Sequence, residues 1–312
     1  MRLVFLGTPP FAVPTLERIL DAGHEVLAVY TQPDRPKGRG QELVAPAVKQ
    51  AAERRSLLVR QPERIRRPEV VAELRELQPD AMVIVGYGQI VPQSIIDIPP
   101  LGIINVHASL LPKYRGAAPV QWAIARGESV TGVTTMRIDA GLDTGDILLA
   151  CETPIGEDET AIELGPRLAV MGADLLVETL EGLQAGSIQP VKQDNALATL
   201  APILRKEDGL IDWRLPAREV HNKVRGFVPW PGAYTWFRGQ TLQAWRARLA
   251  ETGAGKPGTL SAADRRLLVN CGGGTSIELL EVQIEGRRKV AADAFLNGQH
   301  VKAGERLGKG DE

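Results

Sequence analysis

Asn105-Val106-His107 puts a carboxamide and an imidazole two residues apart at the end of an apolar run. In an extended strand a period of two turns both side chains to one face. Downstream, Gly141-Leu142-Asp143-Thr144-Gly145-Asp146 reads as a tight acidic turn between strand-like segments at 133–138 and 147–149. A lone strand histidine is usually a core residue, and turn aspartates usually cap backbone amides. Two adjacent polar side chains at the end of an otherwise apolar strand favour function. An amide donor, an imidazole and a carboxylate suit acyl transfer to an amine. The carbonyl under attack becomes a tetrahedral oxyanion, to which Asn105 and a protonated His107 can donate hydrogen bonds. If one carboxylate of the turn reaches the histidine, it stabilises the imidazolium. The pair can then move a proton off the attacking nitrogen, directly or through a water. No GxSxG elbow and no evident cysteine nucleophile is present, so direct transfer fits better than a covalent acyl-enzyme.

The elements that must hold these groups follow from the apolar pattern. Residues 3–6 read as a buried strand stopped by Gly7-Thr8-Pro9-Pro10. Ala12, Leu16, Ile19 and Leu20 follow at helical spacing, and Gly23 ends the helix. Residues 26–30, 81–85 and 103–107 are further apolar strands, with a helical stretch at 69–77. Continuous apolar strands alternating with helices predict an α/β fold: a Rossmann-like, mostly parallel sheet with helices on both faces. Such sheets bind ligands at the carboxyl ends of their strands. Dinucleotide binding is excluded. The turn after the first strand has no GxGxxG, and its two prolines remove backbone donors where a pyrophosphate needs them. No GxxxxGK[ST] occurs, and Gly272-Gly273-Gly274-Thr275 reads as a hairpin turn rather than a phosphate loop.

The second half reads differently. Glu157-Asp158-Glu159-Thr160 opens a helical region with acids at its N-terminus. Gly165-Pro166 is expected to kink or break it, and Leu168, Met171, Leu175, Thr179 and Leu183 continue at helical spacing. Residues 187–205 have few apolar clusters and read as a linker. Beyond them, short alternating segments at 210–213, 233–237, 267–271 and 277–284 predict a small C-terminal OB-like β-barrel domain. Trp213, Trp230, Trp236 and Trp245 lie here, and at least half of these rings are expected to fill the barrel core. The expected domains are 1–189 for the α/β acyl-transfer domain, 190–206 as linker and 207–312 as an OB-like nucleic-acid platform.

The 312 residues carry 37 Lys+Arg against 38 Asp+Glu, with 44% hydrophobic and 24% charged residues. That composition excludes a disordered chain, a disulfide scaffold and a wholly basic tail. Two cysteines without a CxxC exclude a zinc knuckle and suit a reducing cytosol. The apolar N-terminus is too short for a signal segment or a membrane span. His24, His107, His221 and His300 have no ligand-like spacing, so no metal is expected. No heptad or large apolar stripe stands out, and a monomer is expected. Residues 34–67 hold ten basic residues against four acidic ones. From charge alone this is a solvated face. Pro36, Gly38 and Gly40 between Arg35, Lys37 and Arg39 argue instead for a flexible loop that attracts polyanions.

The segments NVHASLLPKYRGAAPVQWAI and TGVTTMRIDAGLDTGDIL resemble the folate-dependent formyltransferases. The opening LVFLGTPPFAVPTLERIL, the loop TQPDRPKGRGQ and the segment RGFVPWPGAYT resemble, more narrowly, the branch of that family that acts on methionyl-tRNA. The resemblance implies 10-formyltetrahydrofolate as donor and the α-amine of methionine on initiator tRNA as acceptor, in the cytoplasm, for translation initiation. It carries the catalytic trio onto Asn105, His107 and Asp143. It places the folate beside Ser109, Leu110, Leu111 and Pro112, with Gly86, Tyr87, Gly88 and Ile90 walling the pterin. It makes 34–40 the loop that meets the tRNA acceptor stem, through Arg35, Lys37 and above all Arg39. Pro10 departs from the family, which usually has an acidic residue there. The alternatives are a formyltransferase acting on a small amine, such as a sugar nucleotide or a purine precursor, and a non-catalytic RNA-binding protein.

Overall fold

The computed structural model of the chain describes residues 1–37, 42–251, 253, 255–263, 265–302 and 304–308. Its first half runs β1 (Arg2–Gly7), α1 (Val13–Asp21), β2 (Glu25–Tyr30), β3 (Arg35–Lys37), β4 (Glu42–Val44), α2 (Ala47–Arg54), β5 (Val59–Arg60) and α3 (Pro68–Glu76). Then come β6 (Ala81–Val85), α4 (Gln93–Ile96), β7 (Ile103–His107), α5 (Pro119–Ala125), β8 (Val130–Arg137), β9 (Ile147–Pro154) and α6 (Ala161–Ala185). Seven strands form one sheet in the order β5-β2-β1-β6-β7-β8-β9. β1 pairs in parallel with β2 and β6, and β6 with β7, while β7 and β8 are antiparallel. The chain moves outward from β1 on one side, then returns to β6 on the other. This is a topological switch point, where sheets of this class leave a crevice at the strand ends.

Both faces are covered, which is why the strands read as continuous apolar runs. On one face Val4, Leu6, Ala28, Met82, Ile84 and Ile103 pack with Val70, Val71 and Leu74 of α3 and Ile95 of α4. On the other, α6 comes close to β7 and β8. A Cβ on Gly172 would stand 2.7 Å from a methyl of Val106 and 3.1 Å from one of Val133, so only glycine permits this approach. The expected break at Gly165-Pro166 does not occur, and α6 is one helix of 25 residues. A proline inside a helix costs about 3 kcal/mol. Leu164, Leu168, Leu176 and Leu180 are fully buried, and each offsets roughly 1.5–3 kcal/mol.

The second half contains α7 (Ala217–Phe227), β10 (Ala233–Phe237), β11 (Gln240–Ala250), β12 (Leu260–Ala263), β13 (Arg266–Asn270), β14 (Ser276–Ile284), β15 (Val290–Ala291) and α8 (Ala292–Gln299). Its antiparallel sheet has the order β10-β11-β14-β13-β12, with β15 on β14. The tail closes the barrel: Leu260 donates to the Glu305 carbonyl, Leu307 to Gly258 and Gly308 to Trp236. The tail thus bridges the two outer strands, β12 and β10. Gly272-Gly273-Gly274-Thr275 makes the β13–β14 hairpin turn, with Gly273 and Gly274 both left-handed. The strand expected at 210–213 is only a bridge from Leu210 to Tyr234, followed by a turn. Of the four tryptophans, Trp213 alone fills the core, its Nε1 donating to Thr235 Oγ1. Trp236 and Trp245 are half-buried and Trp230 is exposed, so fewer rings fill the core than expected.

Compactness divides the chain into two units of interleaved segments. One holds Met1–Gly116, Thr131–Thr153 and Gly165–Leu200; the other holds Ala117–Val130, Pro154–Leu164 and Ala201–Glu312. This differs from single cuts at 189 and 206. α5 clusters with α7, where Trp122 meets Phe227 edge to face at 5.2 Å. Residues to 200 cluster with the first unit because Val191 pairs with Ile147 and Leu200 with Arg115.

Candidate active site

β7 delivers the first two groups. Asn105 lies beside Ile84 of β6 and Met136 of β8, and His107 beside Thr134. Ile103 packs into the core on the face of α3 and α4, and the period of two carries Asn105 and His107 along that face to the strand end. Asn105 is 8% and His107 6% exposed. His107 Nε2 lies 2.9 Å from the Tyr114 carbonyl oxygen. A carbonyl only accepts, so Nε2 carries a proton and Nδ1 is turned to Asp143 Oδ2 at 3.8 Å. The expected donation from His107 to an oxyanion therefore competes with Tyr114 for the Nε2 proton. The carboxamide of Asn105 makes no hydrogen bond to a described residue and is free to donate.

The third group sits in the turn between β8 and β9. Asp143 is left-handed, with φ 51°, a conformation that aspartate tolerates. Its Oδ2 accepts the Gly116 amide at 2.8 Å. The capping role common for turn aspartates belongs to Asp139, which accepts from the Gly141 amide at 2.9 Å and Thr144 Oγ1 at 2.7 Å. A Cβ on Gly145 would stand 1.9 Å from the Arg137 carbonyl oxygen, so this position admits only glycine.

Two side chains absent from the sequence expectations hold the turn. Gln193 Nε2 donates to the carbonyls of Asp143 at 2.9 Å and Gly145 at 2.7 Å. Its Oε1 accepts from Arg115 Nε at 3.0 Å and Nη2 at 2.8 Å, and Nη2 also reaches Asn195 Oδ1. Gln193 and Asn195 lie in the stretch that reads as a linker. Their polar composition is the same as that of any loop, so no local signal marks them.

Residues 109–113 turn back over β8. Ser109 Oγ donates to the Lys113 carbonyl at 2.6 Å. Thr134 Oγ1 donates to the Ser109 carbonyl and accepts the Leu111 amide. With these hydroxyls satisfied, Leu110 and Pro112, half-buried, and Leu111, buried, leave an apolar wall beside β7. The Leu111–Pro112 peptide is cis.

At the end of β6, Gly86 and Gly88 are both left-handed, and the Tyr87 carbonyl between them accepts from Thr8 Oγ1 and Gln32 Nε2. A cleft of about 610 Å³ opens here, at the switch point, lined by Thr8, Pro9, Pro10, Gln32, Arg35, Gly86, Tyr87 and Gly88 among others. That volume suits a small organic ligand. Tyr87 is buried, and Ile90, also expected at the pterin, is 92% exposed. Neither the trio nor residues 109–112 line this cleft.

Of the expected tRNA-facing cations, Arg35 is exposed with Nη2 on Gln32 Oε1, and Lys37 ends β3. Arg39 lies outside the described residues. Lys49 is held by Asp34 at 2.7 Å, while Arg55, Arg60 and Arg67 pair with Asp21, Glu73 and Glu63. Gln61 and Lys49 hold the Asp34 carboxyl below the usual range. Much of the basic excess between 49 and 67 is thus matched locally.

A family profile described as formyl transferase matches residues 1–180, and one described as formyl transferase, C-terminal domain, matches residues 203–300. A methionyl-tRNA formyltransferase of Solibacter usitatus (strain Ellin6076) is 64% identical over 311 residues, covering 99% of each chain. That of Koribacter versatilis (strain Ellin345) is 56% identical over 310 residues, again covering 99% of each. Among solved structures, WlaRD, a sugar 3N-formyl transferase in the presence of dTDP and 5-N-formyl-THF, superposes with a TM-score of 0.68 at 19% identity, covering 92% of this chain and 99% of that one. At that identity the likeness concerns the fold.

Proposed function

The chain belongs to the formyl transferase family, and on that premise we infer how its site works. It is an enzyme of translation initiation that transfers a formyl group from 10-formyltetrahydrofolate to the free amino group of methionine on initiator methionyl-tRNA. The methionine nitrogen bonds to the formyl carbon, the bond from that carbon to folate N10 breaks, and one proton passes from the amine to N10. The free carboxamide of Asn105 donates to the oxygen as it gains charge. His107, held by Tyr114, presents Nδ1 to Asp143, and this pair collects the proton and hands it on. Leu110, Leu111 and Pro112, with Ser109 turned inward, offer the folate an apolar wall. Gly86, Tyr87, Gly88 and Ile90 complete its surroundings from the end of β6. Arg35, Lys37 and Arg39 take acceptor-stem phosphates, and the barrel of residues 207–312 lies along the tRNA. The enzyme works as a cytoplasmic monomer.

The observation that carries this reading is the 3.8 Å approach of His107 to Asp143 beside an unbonded, buried Asn105. Full-length relatives named for methionyl-tRNA disfavour a small-amine acceptor and a non-catalytic RNA-binding role. The test is transfer from 10-formyltetrahydrofolate to charged initiator tRNA, read as acid-stable formyl-methionine. Asn105→Ala and Asp143→Asn should each lower kcat about 100-fold or more while tRNA still binds. Undiminished turnover in both variants would remove the trio from the mechanism. Arg35→Ala should raise the KM for tRNA and leave the KM for folate unchanged.

A further inference from the structure

We propose that Gln193 is a positioning residue for the transfer step, setting Asp143 against His107 through a closed ring of hydrogen bonds; the proposal rests on the catalytic reading of Asp143 above. The ring runs from Asp143 Oδ2 to the Gly116 amide at 2.8 Å. It passes one residue back along the chain to Arg115, whose guanidinium donates twice to Gln193 Oε1 at 3.0 and 2.8 Å. It closes where Gln193 Nε2 donates to the Asp143 carbonyl at 2.9 Å. Side chain and main chain of residue 143 are thus gripped by two consecutive residues, one of the grips passing through Gln193. The need for a grip is visible in the backbone, since Asp143 is left-handed at φ 51°. Aspartate tolerates this conformation better than most side chains but does not prefer it, so the surroundings must hold it there.

The chemistry of the ring requires a carboxamide. Arg115 is 7% exposed, and its partners Gln193 and Asn195 are neutral acceptors. Gln193 must accept on one end and donate on the other. A carboxylate would keep Arg115 and set an oxygen against the carbonyls of Asp143 and Gly145. An aliphatic side chain would abandon both. Without Gln193 the turn keeps the Asp139 cap, so it stays folded but loses the fixed height of Asp143 over β7. A shift of about 1 Å in a catalytic group costs up to about 100-fold in rate.

Gln193→Ala and Gln193→Glu are therefore each expected to lower kcat about 10- to 100-fold, with the KM for tRNA and for folate within about twofold of wild type. The deciding measurement is a double-mutant cycle with Asp143→Asn, read by single-turnover formylation. If Gln193 acts through Asp143, Gln193→Ala costs less than about twofold more once Asp143 is already replaced. The same fold-loss in both backgrounds would overturn the positioning role while leaving the catalytic reading of Asp143 intact. A fully active Asp143→Asn variant would sink that catalytic reading itself, and this inference with it. Should Gln193→Ala fail to fold, the near-isosteric Gln193→Glu carries the cycle. Failure of both to fold would assign Gln193 to stability and end the proposal.

Discussion

Asn105 is a side chain whose fitness for chemistry works against stability. Taking an amide out of water without giving it a partner costs free energy; Asn105 is 8% exposed and its carboxamide bonds to no described residue, so folding strips part of its water without replacing it. Asn105→Leu, of similar size, should therefore raise the unfolding free energy by about 1 kcal/mol in a denaturant melt while lowering kcat about 100-fold or more. A variant both inactive and less stable would show that the amide is a structural group. The two cysteines make a second contrast. Burial pushes the Cys271 thiol up to about 12, whereas Cys151 is half-exposed. Iodoacetamide at neutral pH should leave Cys271 unmodified in the native protein and reach it only after denaturation, as mass spectrometry of the labelled peptides would report.

At the scale of elements, the turn from β8 to β9 is the least tolerant part of the site. Its shape depends on Asp139 capping Gly141 and Thr144, on Gln193 binding two carbonyls, and on the missing Cβ of Gly145. Gly145→Ala forces a methyl against the Arg137 carbonyl and should destabilise by about 1–3 kcal/mol. The displaced turn carries Asp143 away, so kcat should fall together with the melting temperature. An alanine variant with wild-type kcat would mean that the turn can relax without moving its carboxylate. The strands before it show how much was readable. The runs at 81–85 and 103–107 coincide with β6 and β7 because buried parallel strands are written as unbroken apolar stretches. The helix runs unbroken through Gly165-Pro166, where the proline alone favours a kink or break, because local rules ignore the leucines buried on either side of it.

Across the whole molecule, stability should depend on pH through His221 of α7. It is 1% exposed, with Nε2 3.2 Å from Asp158 Oδ1 and Nδ1 without a partner. Burial lowers its pKa below the ordinary 6.5, and Arg225 adds to this, with Asp158 opposing. The folded protein then binds the proton more weakly than the unfolded chain does. Stability is whole above about pH 6.5 and is lost as pH falls from there through the lowered folded value. His221→Gln should flatten that part of the curve, seen as a smaller drop in melting temperature between about pH 7.5 and pH 5.5 than in wild type. An identical drop in the two proteins would show that His221 titrates as it does in the unfolded chain. Activity should fall with acid for a separate reason, because a protonated methionine amine cannot attack.

Two residues apart on an apolar strand, Asn105 and His107 had to share a face wherever the strand went, and that pairing was legible in the sequence alone. So were the parallel sheet, the glycine hairpin at 272–275 and the short antiparallel strands of the C-terminal domain, though not its helices α7 and α8, because each follows from periodicity or from a backbone conformation that only certain residues adopt. The meeting of His107 with Asp143 depends on how the β8–β9 turn folds back, a matter of long-range packing that spacing alone does not encode. The grip of Arg115 and Gln193 on that turn is less visible still. They stand 78 positions apart, and each reads locally as an ordinary polar residue. Their bond exists only because the chain after α6 returns to β9, where Val191 pairs with Ile147. Local pattern specifies which face a side chain takes, and tertiary structure decides which distant group it meets there.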